Sequence, residues 1–310
     1  MTALLALVMV ATFGTWIPLA QYLPGVAQRS RTFYATVGNA ALAGVALLAG
    51  GGHLALGWRA FWLPLAGGVV WTAGNYSAFR ATEAAGLARA AGTWSPLNII
   101  VAFVWGALLF GELEGFSAAR FAVLGTALAA VMAGVLLIVR SQDVPWRPPV
   151  APGAGPRMAT AQIPAARVSS HPGLLWAIAA GVLWGSYFVP AQWAGVPAQV
   201  SNFPLALGIL GGGAALAVQP GGPLRLGARV TAVQVGAGIL FGVGDLALLG
   251  LVAKVGTGVG FTIAQLSLLV NASIGIWVFK VPKPGSRQAR MALVGIVLAG
   301  AGGCLIGALH

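Results

Sequence analysis

The chain has 310 residues, 58% of them hydrophobic and 7% charged, whereas a soluble domain carries about 25% charged residues. With a mean hydropathy of +0.89, this excludes an ordinary soluble domain and points to an integral membrane protein. A net charge of +12 would suggest a nucleic-acid partner in a soluble chain. Here the Arg and Lys residues separate apolar stretches, so membrane topology accounts for them and no nucleic acid is expected.

Ten apolar spans are expected, at about 3–22, 33–51, 60–80, 87–110, 118–139, 173–193, 202–219, 231–252, 257–279 and 289–308. Each is near the ~20 residues that a membrane-crossing helix needs. The opening MTALLALVMV lacks the positive region of a signal peptide and reads as a retained first span. Residues 141–172 hold seven prolines among Gly, Ala and Arg, the composition of an extended linker. The linker divides the chain into 1–140 and 173–310, with five spans in each part.

The two parts repeat. Gly14-Thr15-Trp16 in the first span matches Gly185-Ser186-Tyr187 in the sixth, with Pro18 and Pro190 following. Trp71, Gly74 and Asn75 match Phe241, Gly244 and Asp245, each 170 residues later, and Gly86 matches Gly256. The fourth span closes Gly106-Ala-Leu-Leu-Phe110 and the ninth Gly275-Ile-Trp-Val-Phe279. Five spans is an odd number, so the second copy must run inverted. The expected fold is all-α, with ten transmembrane helices in two inverted five-helix repeats, a build of many secondary transporters whose site lies between the repeats at mid-membrane.

The stretch Gly86–Glu112 is the most informative. It is uncharged from Ala90 to Gly111, yet holds Thr93, Trp94, Ser95, Pro96, Asn98 and Trp105. On a helical wheel Trp94, Asn98 and Trp105 fall within about 40° of one another. Pro96 removes one internal hydrogen bond, which hydrocarbon tolerates only against protein, a polar group or water. This face is expected to line a polar cavity; packing against a neighbouring helix is the plainer alternative.

Of the 17 Arg and Lys residues, 14 fall in the odd-numbered connections and three, Arg59, Arg120 and Lys254, in the even ones. The excess of positive charge on the cytoplasmic side then places the odd connections, including the linker, in the cytoplasm and both termini outside.

The segments GSYFVPAQW (Gly185–Trp193), AGNYSAFRATEAAGLARA (Ala73–Ala90) and WGALLFGE (Trp105–Glu112) carry a resemblance. The chain resembles the drug/metabolite transporter superfamily, and within it the glucose/ribose porter and rhamnose–proton symporter branch, over nearly all of its length except the linker. The resemblance implies ten helices in two inverted repeats, alternating access to a cavity lined by helices 1, 3, 4, 6, 8 and 9, and an inner (plasma) membrane location. It also implies both termini in the cytoplasm, opposite to the charge distribution.

Asp245 is the one carboxylate well inside a span. A charge at that depth costs about 2.5–3.5 kcal/mol on insertion scales, which makes Asp245 the candidate proton-coupling residue; a neutral or paired Asp bonding to the third span is the alternative. Asn75, Tyr76, Asn98, Gln192, Gln265 and Asn271 are hydrogen-bonding groups within spans, and Trp16, Trp71, Trp94, Trp105, Trp184 and Tyr187 supply rings. Sugars use both kinds of group. The proposed substrate contacts are Trp16, Asn75, Tyr76, Trp94, Asn98, Trp105, Trp184, Tyr187 and Gln265. Helix–helix hydrogen bonds of about 0.6 kcal/mol each are the competing explanation. Trp58, Trp62 and Trp176, near span ends, read as interfacial belt.

Glu112 and Glu114 are expected to anchor the end of the fourth span. Arg80, Glu83 and Arg89 flank the next connection, with an Arg–Glu pair possible. Gly303 and Gly307 form a GxxxG, a packing motif within the chain or at a homodimer contact. His53, His171 and His310 lie outside the spans, and Cys304 is the sole cysteine. No metal cluster, cofactor site, nucleophile–base pair or phosphate loop is expected. The residues thus point to a non-enzymatic secondary transporter of a small polar metabolite, first of all a sugar, coupled to protons and acting as a monomer or homodimer. Proton antiport of drugs or amphipathic metabolites is the alternative; a membrane-embedded lipid-modifying enzyme is the alternative from another class.

Overall fold

The computed structural model describes residues 1–23, 26–51, 57–85, 87–141, 170–219, 225–278, 280, 282–307 and 309. Most of the 141–172 linker, and Gly86, Phe279, His53 and His310, lie outside the described residues, as do the side chains of Glu83, Arg89 and His171. Among the described residues there is no strand. The helices are α1 (Thr2–Gln21), α2 (Gln28–Ala49), α3 (Leu63–Ala85), α4 (Leu87–Leu109), α5 (Ala118–Ser141) and α6 (Ser170–Trp184). They are followed by α7 (Val189–Trp193), α8 (Ala198–Ala217), α9 (Ala228–Val255), α10 (Thr257–Gln265), α11 (Ser267–Trp277) and α12 (Arg287–Gly307).

Eight segments among the described residues are long and apolar enough to cross a membrane. They correspond to α1, α2, α5, α6 with α7, α8, α9, α10 with α11, and α12. The expected third and fourth spans are α3 and α4. Both are helical, and Thr93–Leu109 within α4 forms an apolar segment.

Two expected spans are not continuous helices. The sixth opens into a turn at residues 185–188 between α6 and α7. Pro190 explains this: it has no N–H to donate, and its ring collides with the carbonyl four residues earlier, that of Ser186. The turn is closed instead by Val189 N–H donating to Ser186 O, 3.0 Å. The ninth span breaks at Leu266, where tighter bonds, Leu266 N to Ile263 O and Leu269 N to Leu266 O, bridge α10 to α11. Their counterparts α1 and α4 stay helical through Pro18 and Pro96.

The packing repeats along the chain as the sequence does. Helix α1 lies on α9 as α6 lies on α3; α2 lies on α9 as α8 lies on α3; α4 lies on α6 as α11 lies on α1; and α5 pairs with α12. The close approaches recur residue by residue. A Cβ placed on Gly68 would meet Leu205 O at 2.1 Å, and one on Gly238 would meet Ala35 O at 1.9 Å; 170 residues separate each member of one contact from its counterpart. Likewise Gly208 abuts Leu65 as Gly38 abuts Val235, and Gly74 abuts Leu183 and Trp184 as Gly244 abuts Thr12 and Phe13. Small residues let membrane helices approach to backbone contact, where dispersion rather than the hydrophobic effect holds them together.

Helix α12 uses its small residues inside the molecule. Gly295 and Gly302 meet α5 at Gly134 and Ala127, and Gly303 faces Leu266. The Gly303 half of the GxxxG is therefore an internal contact, not a free dimer face. At the opposite ends of other helices arginines act as caps. Arg29 donates to the carbonyls of Ala217 and Gln219 at the end of α8, and Arg31 to those of Ala20, Leu23 and Val26 after α1. Cations suit these sites because helix C-termini carry partial negative charge.

Candidate functional site

Asp245 sits in α9, one turn after Phe241, and only 1% of its surface is exposed. A buried carboxyl group needs a hydrogen-bond partner to be tolerable. Tyr187 supplies it: its phenol Oη donates to Asp245 Oδ1 at 2.9 Å. Tyr187 is in the turn between α6 and α7, so the helix break is what presents its ring to α9. Phe188 and Phe261 flank that ring edge-on at 6.1 and 5.8 Å, which fixes the phenol in place. Asn75 is buried as well, but it is Tyr187 that bonds Asp245, not its repeat counterpart Asn75.

Beside this pair runs a chain of rings. Trp71 of α3 and Phe241 of α9, counterparts in the repeat, touch each other at 4.9 Å. Trp16 of α1 meets Phe241 at 5.3 Å. Trp184 of α6 donates its indole N–H to Trp71 O at 3.2 Å, and Trp94 of α4 stands edge-on to Trp184 at 5.7 Å. Five helices thus contribute to one aromatic track. Trp16, Trp94 and Trp184 stay partly exposed along it.

The Trp94–Asn98–Trp105 face, expected to line a polar cavity, packs in part on α6 and the turn after it. Gly181 receives Leu97 and the Trp94 carbonyl, Gly185 receives Val101 and the Asn98 carbonyl, and Trp105 Nε1 donates to Ser186 Oγ at 2.8 Å. Two glycines without side chains allow this approach. Asn98 keeps one unused group: it is 7% exposed, and its Oδ1 has no hydrogen-bond partner among the described residues. Tyr76 packs edge-on against Trp176, over which the Arg80 guanidinium lies at 5.9 Å, so Trp176 belongs to the α3–α6 seam and not only to an interfacial belt. Gln265 is the last residue of α10, at the break.

Glu112 does more than anchor α4. Its Oε1 accepts from the Thr257 backbone N–H and from Gln192 Nε2 (3.3 Å), and its Oε2 from Gly258 N–H (3.0 Å). Gln192 Oε1 in turn accepts from Thr257 Oγ1. The partners lie 80 to 146 residues away, beyond the reach of local sequence patterns; the available signal was that Glu112 is one of only five acidic residues. Among the described residues, no three His, Cys, Asp or Glu side chains gather into a metal site.

A solved structure described only as "Crystal structure of protein" is similar over 99% of this chain and 98% of its own, with a TM-score of 0.65 and 17% identity. At that identity the likeness concerns the fold alone. Among curated proteins no sequence matches the chain. A family model does match, over residues 157–309. That segment covers α6 to α12, including Tyr187, Gln265 and Asp245. In this second part the chain is similar to the family described as Sugar transport protein, which supports a sugar-transporter-like multi-pass membrane protein.

Proposed function

We propose that the protein is a secondary active transporter of a small polar metabolite, a sugar, that works by alternating access and is coupled to protons through Asp245. The observation that carries the reading is the Tyr187–Asp245 pair: a carboxyl group buried among membrane-length helices, beside a track of tryptophans, in the part of the chain that matches sugar transport proteins. Intramembrane ionisable groups are costly and are retained chiefly for ion or proton pathways.

In this reading ten helices form two inverted repeats, 1–140 and 173–310, joined by a cytoplasmic linker at 141–172, in the inner (plasma) membrane. The recurrence of three close glycine contacts about 170 residues on (Gly68 and Gly238, Gly208 and Gly38, Gly74 and Gly244) supports that arrangement. A sugar stacks its apolar face on Trp16, Trp94 or Trp184 and exchanges hydrogen bonds with Asn98, Asn75 and Gln265, with Tyr76, Trp105 and Tyr187 shaping the walls. Aromatic rings supply large contact area with few rotamers to immobilise. Protonation of Asp245 removes its charge and lets α9 pass between two packings against the α6–α7 turn.

The test is uptake of a panel of radiolabelled sugars into proteoliposomes, with and without an imposed pH gradient. Accumulation of one sugar above its external concentration only with the gradient is the expected result. A panel in which amphipathic cations move and no sugar does would transfer the assignment to antiport of drugs.

A further inference from the structure

We infer that Glu112 is a latch that holds one end of the bundle shut and must release for that end to open. The inference rests on the alternating-access reading above. The latch joins the two parts of the chain. The carboxylate follows α4, in the first part, while its donors come from the second: Gln192 at the end of α7, and the Thr257 and Gly258 amides that begin α10. A carboxylate on the first amides of a helix is held by charge-assisted hydrogen bonds and by the partial positive charge of the helix N-terminus.

The seat is built for this side chain. A Cβ on Gly106 would come within 2.4 Å of Glu112 Oε2, and one on Gly256 within 2.7 Å of its Cδ. Gly256 also has φ +82°, a conformation that disfavours any other residue. The Glu112 amide donates back to Gly106 O at 3.0 Å, which folds the segment after α4 over its own helix end. Just below, Gly258 lies against Phe103.

Two observations make this a releasable contact instead of a permanent brace. Glu112 is only partly buried, so water can replace its amide partners, and release exchanges these hydrogen bonds for others instead of leaving the carboxylate unsatisfied. The contact is also one-sided. The repeat equivalent of Glu112 falls near residues 281–282, which are Val and Pro, so the opposite end of the bundle has no counterpart carboxylate. The helices follow the same asymmetry: among the described residues α4 packs on α10, next to the latch, and scarcely touches α11, which runs to the opposite end.

The test measures the distance across the latched end in full-length protein in lipid nanodiscs, without substrate. In a Cys304→Ser background, spin labels go on Ala119→Cys and Lys254→Cys, both exposed positions flanking the latch. The parent should give one short-distance population. Glu112→Ala should add a longer one, and Gln192→Ala should add less of the same. If Glu112→Ala does not yield folded protein, Glu112→Gln, which keeps the size and loses the charge, takes its place. A folded Glu112 variant with the parent's distance distribution overturns the latch. Because no sugar enters the measurement, that failure leaves the transport reading intact, and failed sugar uptake leaves the distance result standing.

Discussion

Tyr187 and Asp245, 58 residues apart, are joined by a 2.9 Å hydrogen bond that crosses from the α6–α7 turn to the middle of α9. The bond ties a titratable group to the one place where the sixth span is not helical. Tyr187→Phe keeps the ring between Phe188 and Phe261 but leaves Asp245 Oδ1 without its donor. An unsatisfied buried acceptor costs about 1–3 kcal/mol, so the variant should melt earlier in detergent. The midpoint of its uptake–pH profile should also move, which a tyrosine serving only as packing would not cause.

Asp245→Asn keeps size and hydrogen bonding and removes titration. It should abolish uphill, pH-driven uptake, while downhill exchange of substrate persists because the aromatic track is unaltered. Normal proton-driven accumulation by a stably folded Asp245→Asn protein would end the coupling proposal and leave Asp245 as a packing residue.

Asp245 stood out in the sequence because a lone carboxylate amid apolar residues is conspicuous at any register. Tyr187 stood out too, as a ring and proposed substrate contact, but its pairing with Asp245 was not legible, since no local pattern says which helix the turn before Pro190 will face. The limits of α5 were legible to within two residues, expected at 118–139 and found at 118–141. That span is uniformly apolar, so hydropathy alone delimits it. The Trp94–Asn98–Trp105 face was correctly placed on one side of a helix. What it faces was not legible, because Gly181 and Gly185, the residues that admit it, lie some 85 positions away. Periodicity states which residues share a face; only packing states what that face meets.

Asn98 separates binding from coupling. Its Oδ1 is buried without a partner among the described residues, a group ready to accept from a substrate hydroxyl. Asn98→Ala should raise the apparent KM by about 2–10-fold, the worth of one ordinary hydrogen bond, with the pH dependence of uptake unchanged. An unaltered KM would remove Asn98 from the substrate contacts.

The glycine seams give a stability test. A Cβ on Gly208 would lie 2.0 Å from Leu65 O, and its counterpart on Gly38 would lie 2.1 Å from Val235 O. Gly208→Ala and Gly38→Ala should each destabilise by about 1–3 kcal/mol, as overpacking does. Gly211→Ala, which meets nothing within 4 Å, should be neutral or stabilising through helix propensity. Thermal melts of the three variants in one detergent decide it; equal melting temperatures would mean that the seams are looser than their geometry indicates.

Topology is the remaining prediction, and two physical arguments compete over it. The excess of Arg and Lys in the odd connections places the 141–172 linker in the cytoplasm, whereas the resemblance to ten-helix transporters implies cytoplasmic termini. Arg29 and Arg31 weigh less in this count, because they cap helix carbonyls and would be wanted there in either orientation. The linker arginines have no such duty in the sequence pattern, and they fall on the same side. In a Cys304→Ser background, Ala119→Cys should therefore react with a membrane-impermeant maleimide on intact cells, and Ala161→Cys only after permeabilisation. The reverse pattern would overturn this orientation and put the Glu112 end of the bundle in the cytoplasm. The proposed role of the Tyr187–Asp245 pair would be unaffected, since in the inverted-repeat reading its site lies at mid-membrane whichever way the chain is inserted.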